Sequence, residues 1–258
     1  MQDPVAQAAL DRALDDTEQL VLLYQPIHDA RTGAVYAAEA LLRQRRQSGE
    51  LREASIIHEA AEESCDGELF TLDNILVKKA YTDAAQWQAR HPEVRLHVNL
   101  SPRELQEGNV MQRLTALVTS CGIDTRRVNI EITETSYIDN PEETMDVLVG
   151  LQESGIRLWL DDFGTGHSAL THLQHFPVDG IKLPGAFIEP LPDDRRCRAI
   201  VAALIALAHD LGMAVVAEEV ERQEQLDFLL EHGCEYIQGF LFSKPMETER
   251  FAALLDGR

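Results

Sequence analysis

The chain has 258 residues, 45% of them hydrophobic and 26% charged, and a formal net charge of −21. That balance is ordinary for a soluble globular protein, and the length fits one large domain such as a (β/α)8 barrel of ~250 residues. The negative excess excludes polymeric nucleic acid and anionic membrane surfaces as natural partners, while a small anionic ligand is admitted wherever a bound cation reverses the sign locally.

Residues 1–18 read as a leading helix, with Ala9, Leu10, Ala13 and Leu14 on one face and no signal-peptide core. Short β-rich apolar segments then recur at 21–25, 35–42, 94–99, 128–132, 156–161, 180–183, 214–218 and 236–238. Between them, 69–87, 104–118, 141–152, 196–211 and 223–231 carry apolar residues at helical spacing. Ser101-Pro102 marks a helix start, and Gly122, Gly155, Gly212 and Gly233 each close a helix ahead of a strand. The first two strands are joined by only about nine residues, including Asp29, Thr32 and Gly33, too few for a helical crossover, so they should form an antiparallel hairpin. The expected architecture is α/β: a TIM-like (β/α)8 barrel with an antiparallel first strand, one domain across 1–258.

The four cysteines, Cys65, Cys121, Cys197 and Cys234, form no CxxC pair and read as reduced thiols. No apolar run approaches the ~20 residues that span a bilayer. The expected location is the cytoplasm, either free or as the cytosolic module of a larger membrane-anchored protein.

Polar residues fall at the strand ends. The run Leu158-Trp159-Leu160 stops on Asp161-Asp162, and Gln25, Glu39, Asn99, Glu131, Lys182, Glu218 and Gln238 hold matching places in the other segments. Singly, each has an ordinary reading as a helix cap, a solvated rim residue or a salt-bridge partner. Together, at equivalent positions of a repeating βα unit, they converge on the face of a barrel where active sites lie. Two like charges ~4 Å apart repel by roughly 4 kcal/mol at an effective dielectric of ~20, so such a group calls for cations. All-oxygen donors suit Mg²⁺, Mn²⁺ or Ca²⁺, and adjacent aspartates suit a pair of ions.

The spaced motifs Glu39-Ala40-Leu41-Leu42-Arg43, Val98-Asn99-Leu100-Ser101-Pro102, Glu131-Ile132-Thr133-Glu134, Asp161-Asp162-Phe163-Gly164-Thr165-Gly166, Lys182, Ala217-Glu218-Glu219-Val220-Glu221, Gln238-Gly239-Phe240 and Phe242-Ser243-Lys244-Pro245 occur in order. In these the chain resembles the EAL-domain family of cyclic di-GMP phosphodiesterases, from about residue 10 to 251. The resemblance implies hydrolysis of cyclic di-GMP to linear pGpG in bacterial signalling, with Mg²⁺ or Mn²⁺ as cofactor and two ions per site. It implies Glu39, Asn99, Glu131 and Asp161 as ligands of one ion, and Asp161, Asp162 and Glu218 around the second. Lys182 is implied to hold or polarise the attacking water and Glu218 to act as general base. Gln25, Leu42, Arg43, Glu221, Gln238 and Pro245 are implied substrate contacts. Glu134 is implied to brace the loop 163–170, which in the family couples dimerisation to metal binding. A homodimer and fused or associated sensory or cyclase domains are the implied partners.

Four places depart from the family pattern. Leu183-Pro184 follows the lysine where Ile-Asp is usual, Glu219 stands where glycine is usual, His167 replaces an aromatic residue, and 53–68 is atypical. At positive φ a non-glycine at 219 costs roughly 1–2 kcal/mol. The alternatives to an active enzyme are a catalytically weak or inactive cyclic di-GMP receptor, and a protein-interaction module using the barrel as scaffold.

Overall fold

A computed structural model describes residues 20–45, 49–53, 68–106, 108–133, 141–165, 173 and 176–257. The expected leading helix at 1–18, Cys65, Glu134, His167, most of the atypical stretch 53–68 and the loop beyond Thr165 lie outside the described residues.

The chain opens on β1 (Leu20–Asp29) and β2 (Val35–Arg45), which pair antiparallel, followed by a short β3 (Leu51–Glu53) paired to the far end of β2. There follow α1 (Glu68–Gln88), β4 (Arg95–Asn99), α2 (Pro102–Leu105), α3 (Val110–Ser120), β5 (Val128–Thr133), α4 (Pro141–Glu153) and β6 (Arg157–Asp161). The second half contains β7 (Gly180–Leu183), α5 (Gly185–Ile188), α6 (Arg195–Asp210), β8 (Ala214–Ala217), α7 (Gln223–Glu231), β9 (Tyr236–Gln238) and α8 (Thr248–Leu255).

Strand order is β1-β9-β8-β7-β6-β5-β4-β2, and the β1–β2 pairing closes the ring, with β3 appended outside it. β2 and β4 to β9 run parallel, whereas β1 is antiparallel to both β2 and β9. The result is a closed eight-stranded TIM-like barrel with the antiparallel first strand expected from the short connection. Closure leaves no edge strand in the ring.

Three local expectations are corrected. The hairpin connection is 30–34, shorter than about nine residues, because β1 continues to Asp29, whose carboxylate caps the turn through Thr32 N at 2.7 Å. Gln25 and Glu39 therefore lie inside β1 and β2 rather than at their ends, paired directly with each other. The expected helix 104–118 is two helices. Ser101 and Glu104 form a capping box with Pro102 in the first turn, which starts α2 early, and the chain breaks before Val110. The glycine stops are as expected: Gly122, Gly155, Gly212 and Gly233 adopt φ of 77°, 93°, 76° and 85°.

The core outside the barrel wall joins its outward strand residues, such as Leu96, Ile130, Leu158, Leu160 and Ile181, to inward helix faces, such as Leu114, Val118, Leu148, Val201 and Ile205. Tyr24 is fully buried, donates to Asp83 Oδ2 at 2.7 Å and packs edge-on to Trp87, tying β1 to α1. No helix among the described residues is long and apolar enough to cross a membrane.

Candidate active site

Side chains alternate along a strand, so every second residue of the ring faces the barrel axis. On that face lie Glu39, Asn99, Glu131, Asp161, Lys182 and Gln238, and Glu218 follows directly on β8, its N–H donating to Leu183 O at 3.0 Å to extend the ladder. Lys182, only 1% exposed, is the centre of the group. Its Nζ lies 2.8 Å from Glu218 Oε1, 3.0 Å from Glu131 Oε2, 3.2 Å from Asp161 Oδ1 and 3.3 Å from Glu39 Oε2.

The remaining oxygens are also directed. Glu39 Oε2 accepts from Gln238 Nε2 at 2.8 Å and Glu39 Oε1 from Asn99 Nδ2 at 3.2 Å. Glu131 Oε1 lies 2.7 Å from His97 Nδ1, and His97 Nε2 lies 2.6 Å from Asn129 Nδ2. Gln238 Oε1 is buried with no hydrogen-bond partner among the described residues. Asp162 is exposed, its backbone at φ 53°, and its N–H donates to Asp161 Oδ1 at 3.0 Å. The turn beneath it is pinned by buried Phe163, whose N–H donates to Lys182 O at 3.1 Å, and by Thr165 Oγ1 donating to Asp162 O at 2.9 Å.

Electrostatics follow from this crowding. Burial works against the Lys182 charge, but Glu131, Glu218, Glu39 and Asp161 outweigh it and hold the ammonium well above its ordinary value. Burial would raise Glu39 too, yet Lys182 and the Gln238 bond hold it down at about 2. Glu131 is pushed well up by burial and by the charge of Glu39. Glu218 is pushed up to about 7, by burial first, with Asp161 and Glu39 adding to it. His97 is lowered to about 3 by burial and Lys182, so its imidazole is neutral. One ammonium is thus shared among four carboxylates, with a fifth, Asp162, next to Asp161 at the mouth. Glu131 and Glu218, whose proton affinities burial raises, are where a bound cation would compete with protons.

Ligand atoms of Asp161, Asp162 and Glu218 lie within 4.8 Å of one another, a spacing that could hold a metal ion. The donor set is all carboxylate, which fits a hard divalent cation. Glu39, Asn99 and Glu131 are tied to Lys182, His97 and one another at the adjoining wall.

The structure therefore brings together Glu39, Asn99, Glu131, Asp161, Asp162, Lys182, Glu218 and Gln238. The other expected residues ring this group more loosely. Gln25 is opposite Glu39 in the β1–β2 register. Leu42 and Arg43 are half-buried farther along β2, with Arg43 Nη1 donating to Leu42 O at 2.9 Å. Pro245 precedes Met246, which bridges to Tyr24 of β1. Glu221 is exposed, its backbone N–H held by Gln225 Oε1 at 2.9 Å. His97 and Asn129, both fully buried, were not expected in the site. Their signal was present: each stands two residues before a site residue, Asn99 or Glu131, and so shares its face.

A closed TIM-like barrel with an acidic mouth around one buried lysine offers a site suited to divalent cations. The family is shown by direct comparison: the EAL domain model matches residues 7–245, and the chain belongs to that family. The chain is 35% identical over 238 residues to "Cyclic di-GMP phosphodiesterase NbdA" of Pseudomonas aeruginosa, covering 92% of this chain and 30% of that protein. The solved complex of the phosphodiesterase PaMucR with c-di-GMP superposes with a TM-score of 0.87 at 29% identity, covering 95% of this chain and 99% of that one. Klebsiella pneumoniae BlrP1, solved as a calcium/cy-diGMP complex, gives 0.76 at 29% identity, covering 88% and 56%. The chain spans about a third of the length of the curated relatives it matches.

Proposed function

We propose that this chain is a cation-dependent phosphodiesterase that opens one phosphodiester bond of cyclic di-GMP to give linear pGpG. The observation that carries the reading is the gathering of Glu39, Glu131, Asp161 and Glu218 within 3.3 Å of one buried ammonium, beside the Asp161–Asp162–Glu218 group. Glu39, Asn99, Glu131 and Asp161 would hold one ion, and Asp161, Asp162 and Glu218 a second. Mg²⁺ or Mn²⁺, when bound, supplies Lewis acidity toward phosphorus and makes water a nucleophile near neutral pH. Glu218, at the mouth beside Lys182, would take the proton of the attacking water. Lys182 orients that water and stabilises negative charge building on the phosphoryl oxygens. Gln25, Leu42, Arg43, Glu221, Gln238 and Pro245 would line the nucleotide, and Glu134 would brace the loop after Asp162. The proposal includes a single domain over 1–258, a homodimer, a cytoplasmic setting and fused or associated sensory or cyclase domains.

The test is to incubate the chain with cyclic di-GMP and Mg²⁺ or Mn²⁺ and to follow pGpG by chromatography. Formation of pGpG that stops with EDTA and with Glu39→Ala is the expected result. Binding of cyclic di-GMP without any turnover would overturn it in favour of a receptor.

A further inference from the structure

We infer that His97 is a positioning residue that fixes which oxygen of Glu131 faces the barrel mouth, through a one-way chain of hydrogen bonds rising from the barrel floor. The chain starts at Arg95, whose guanidinium has only donors. Its Nη1 lies 3.4 Å from Asn129 Oδ1, so that oxygen accepts. Arg95 is itself held, by Arg126 O at 2.5 Å and over the Tyr36 ring at 5.9 Å. With Oδ1 committed, the Asn129 amide turns its NH₂ group to His97 Nε2, 2.6 Å away. An amide nitrogen only donates, so Nε2 is bare and the ring proton sits on Nδ1. Nδ1–H then donates to Glu131 Oε1 at 2.7 Å. Oε2 alone remains for Lys182, 3.0 Å away, and for the mouth.

Beyond half-buried Arg95 the chain is sealed. His97 and Asn129 are fully buried and Glu131 is 1% exposed, so water does not compete for these bonds. The imidazole is walled by the Trp159 ring, 5.3 Å away between centroids. Outer groups that orient a metal-binding side chain typically change metal affinity 10–100-fold when removed. The inference rests on the reading of Glu131 as an ion ligand and names what aims it. A purely structural His97 would fill space and satisfy Glu131 without setting affinity.

The experiment uses the whole chain labelled with ¹⁵N-histidine, with His97→Asn assigning the His97 signals. The wild type should show the Nδ1–H tautomer. In parallel, Mn²⁺ binding is read from the electron-paramagnetic signal of the free ion. His97→Leu should weaken Mn²⁺ binding 10–100-fold, and His97→Asn, which keeps an N–H near the Nδ1 position, should recover most of it, with circular dichroism melts showing that each variant folds. An Nε2–H tautomer in the wild type overturns the inference, as does unchanged Mn²⁺ affinity in folded His97→Leu. A wild type that binds no Mn²⁺ instead overturns the functional reading of the mouth and the affinity half of this inference, while the tautomer result still decides the hydrogen-bond chain.

Discussion

Two ends of one barrel, built by the same strands, have opposite characters. The floor is largely apolar and aromatic: Ile27, Ala37, Trp159 and Val216 form a buried cluster with Tyr36, Ala214 and Tyr236 against it, interrupted by the His97–Asn129 pair. Tyr36 and Tyr236 stack with centroids 3.8 Å apart. The mouth is a cage of carboxylates around Lys182. One step of two residues separates them: Ala37 and Glu39, Trp159 and Asp161, Gly180 and Lys182, Val216 and Glu218, Tyr236 and Gln238. On β1 the step runs backwards, from Ile27 to Gln25, because that strand is antiparallel to its neighbours. The pleat therefore sorts chemistry by height, and the dry floor beneath the cage keeps the dielectric low where the charges meet.

The largest effect comes from removing the centre of the cage. Lys182→Met leaves buried Glu39 and Glu131 without their cation, and breaking a buried pair in this way costs about 3–5 kcal/mol. The variant should melt well below the wild type in EDTA. Added Mn²⁺ should raise its melting temperature more than it raises that of the wild type, since a divalent ion takes over the neutralising role. Equal shifts for the two proteins would show that Lys182 and the ions do not share these carboxylates.

The floor is broken by volume rather than charge. Gly180 leaves room for the indole of Trp159: a Cβ at that position would stand 2.5 Å from the ring. Gly180→Ala should therefore destabilise by about 1–3 kcal/mol through overpacking, with the Mn²⁺-dependent rise in melting temperature left as in the wild type. Pairing it with Trp159→Leu should recover part of the loss. If Gly180→Ala instead abolishes the Mn²⁺ response, floor and mouth are not separable layers.

These layers were unequally legible in the sequence. The barrel was readable because its signals are local and repeated: a short apolar run, a helical period, a glycine stop. Glu131, Asp161 and Lys182 were readable because a charged residue in an apolar run is conspicuous. The run Arg95–Asn99, written RLHVN, hides more, since nothing local says that His97 meets Glu131 from the neighbouring strand rather than solvent. That contact depends on parallel register, which is set by the whole ring. Gln25 is not a strand end, because β1 runs four residues past it to Asp29. Only the reversed pairing, which sets Gln25 opposite Glu39, explains how a mid-strand glutamine reaches mouth height. The short β3 had no signal, being three residues paired outside the ring.

The smallest effect separates two strained residues at the mouth. Asp162 and Glu219 both adopt positive φ, at 53° and 52°, where a side chain is unfavourable. The Asp162 carboxylate belongs to the candidate ion group, which gives its strain a use. Glu219 is exposed and its carboxylate folds over Gly185 at the start of α5, where an added Cβ would collide with Oε2, Cδ and Cβ of Glu219. Glu219→Gly should therefore stabilise the protein by about 1 kcal/mol, relief of strain exceeding the entropy that glycine adds to the unfolded chain. Gly185→Ala should cost about 1–3 kcal/mol in the wild type and far less in the Glu219→Gly background. The difference, read from urea unfolding of the four proteins, is the coupling between the two positions and should fall within about 0.5–3 kcal/mol. Additive effects would mean that the Glu219 side chain swings away from Gly185 without cost, and that the departure at 219 is independent of the small residue at 185.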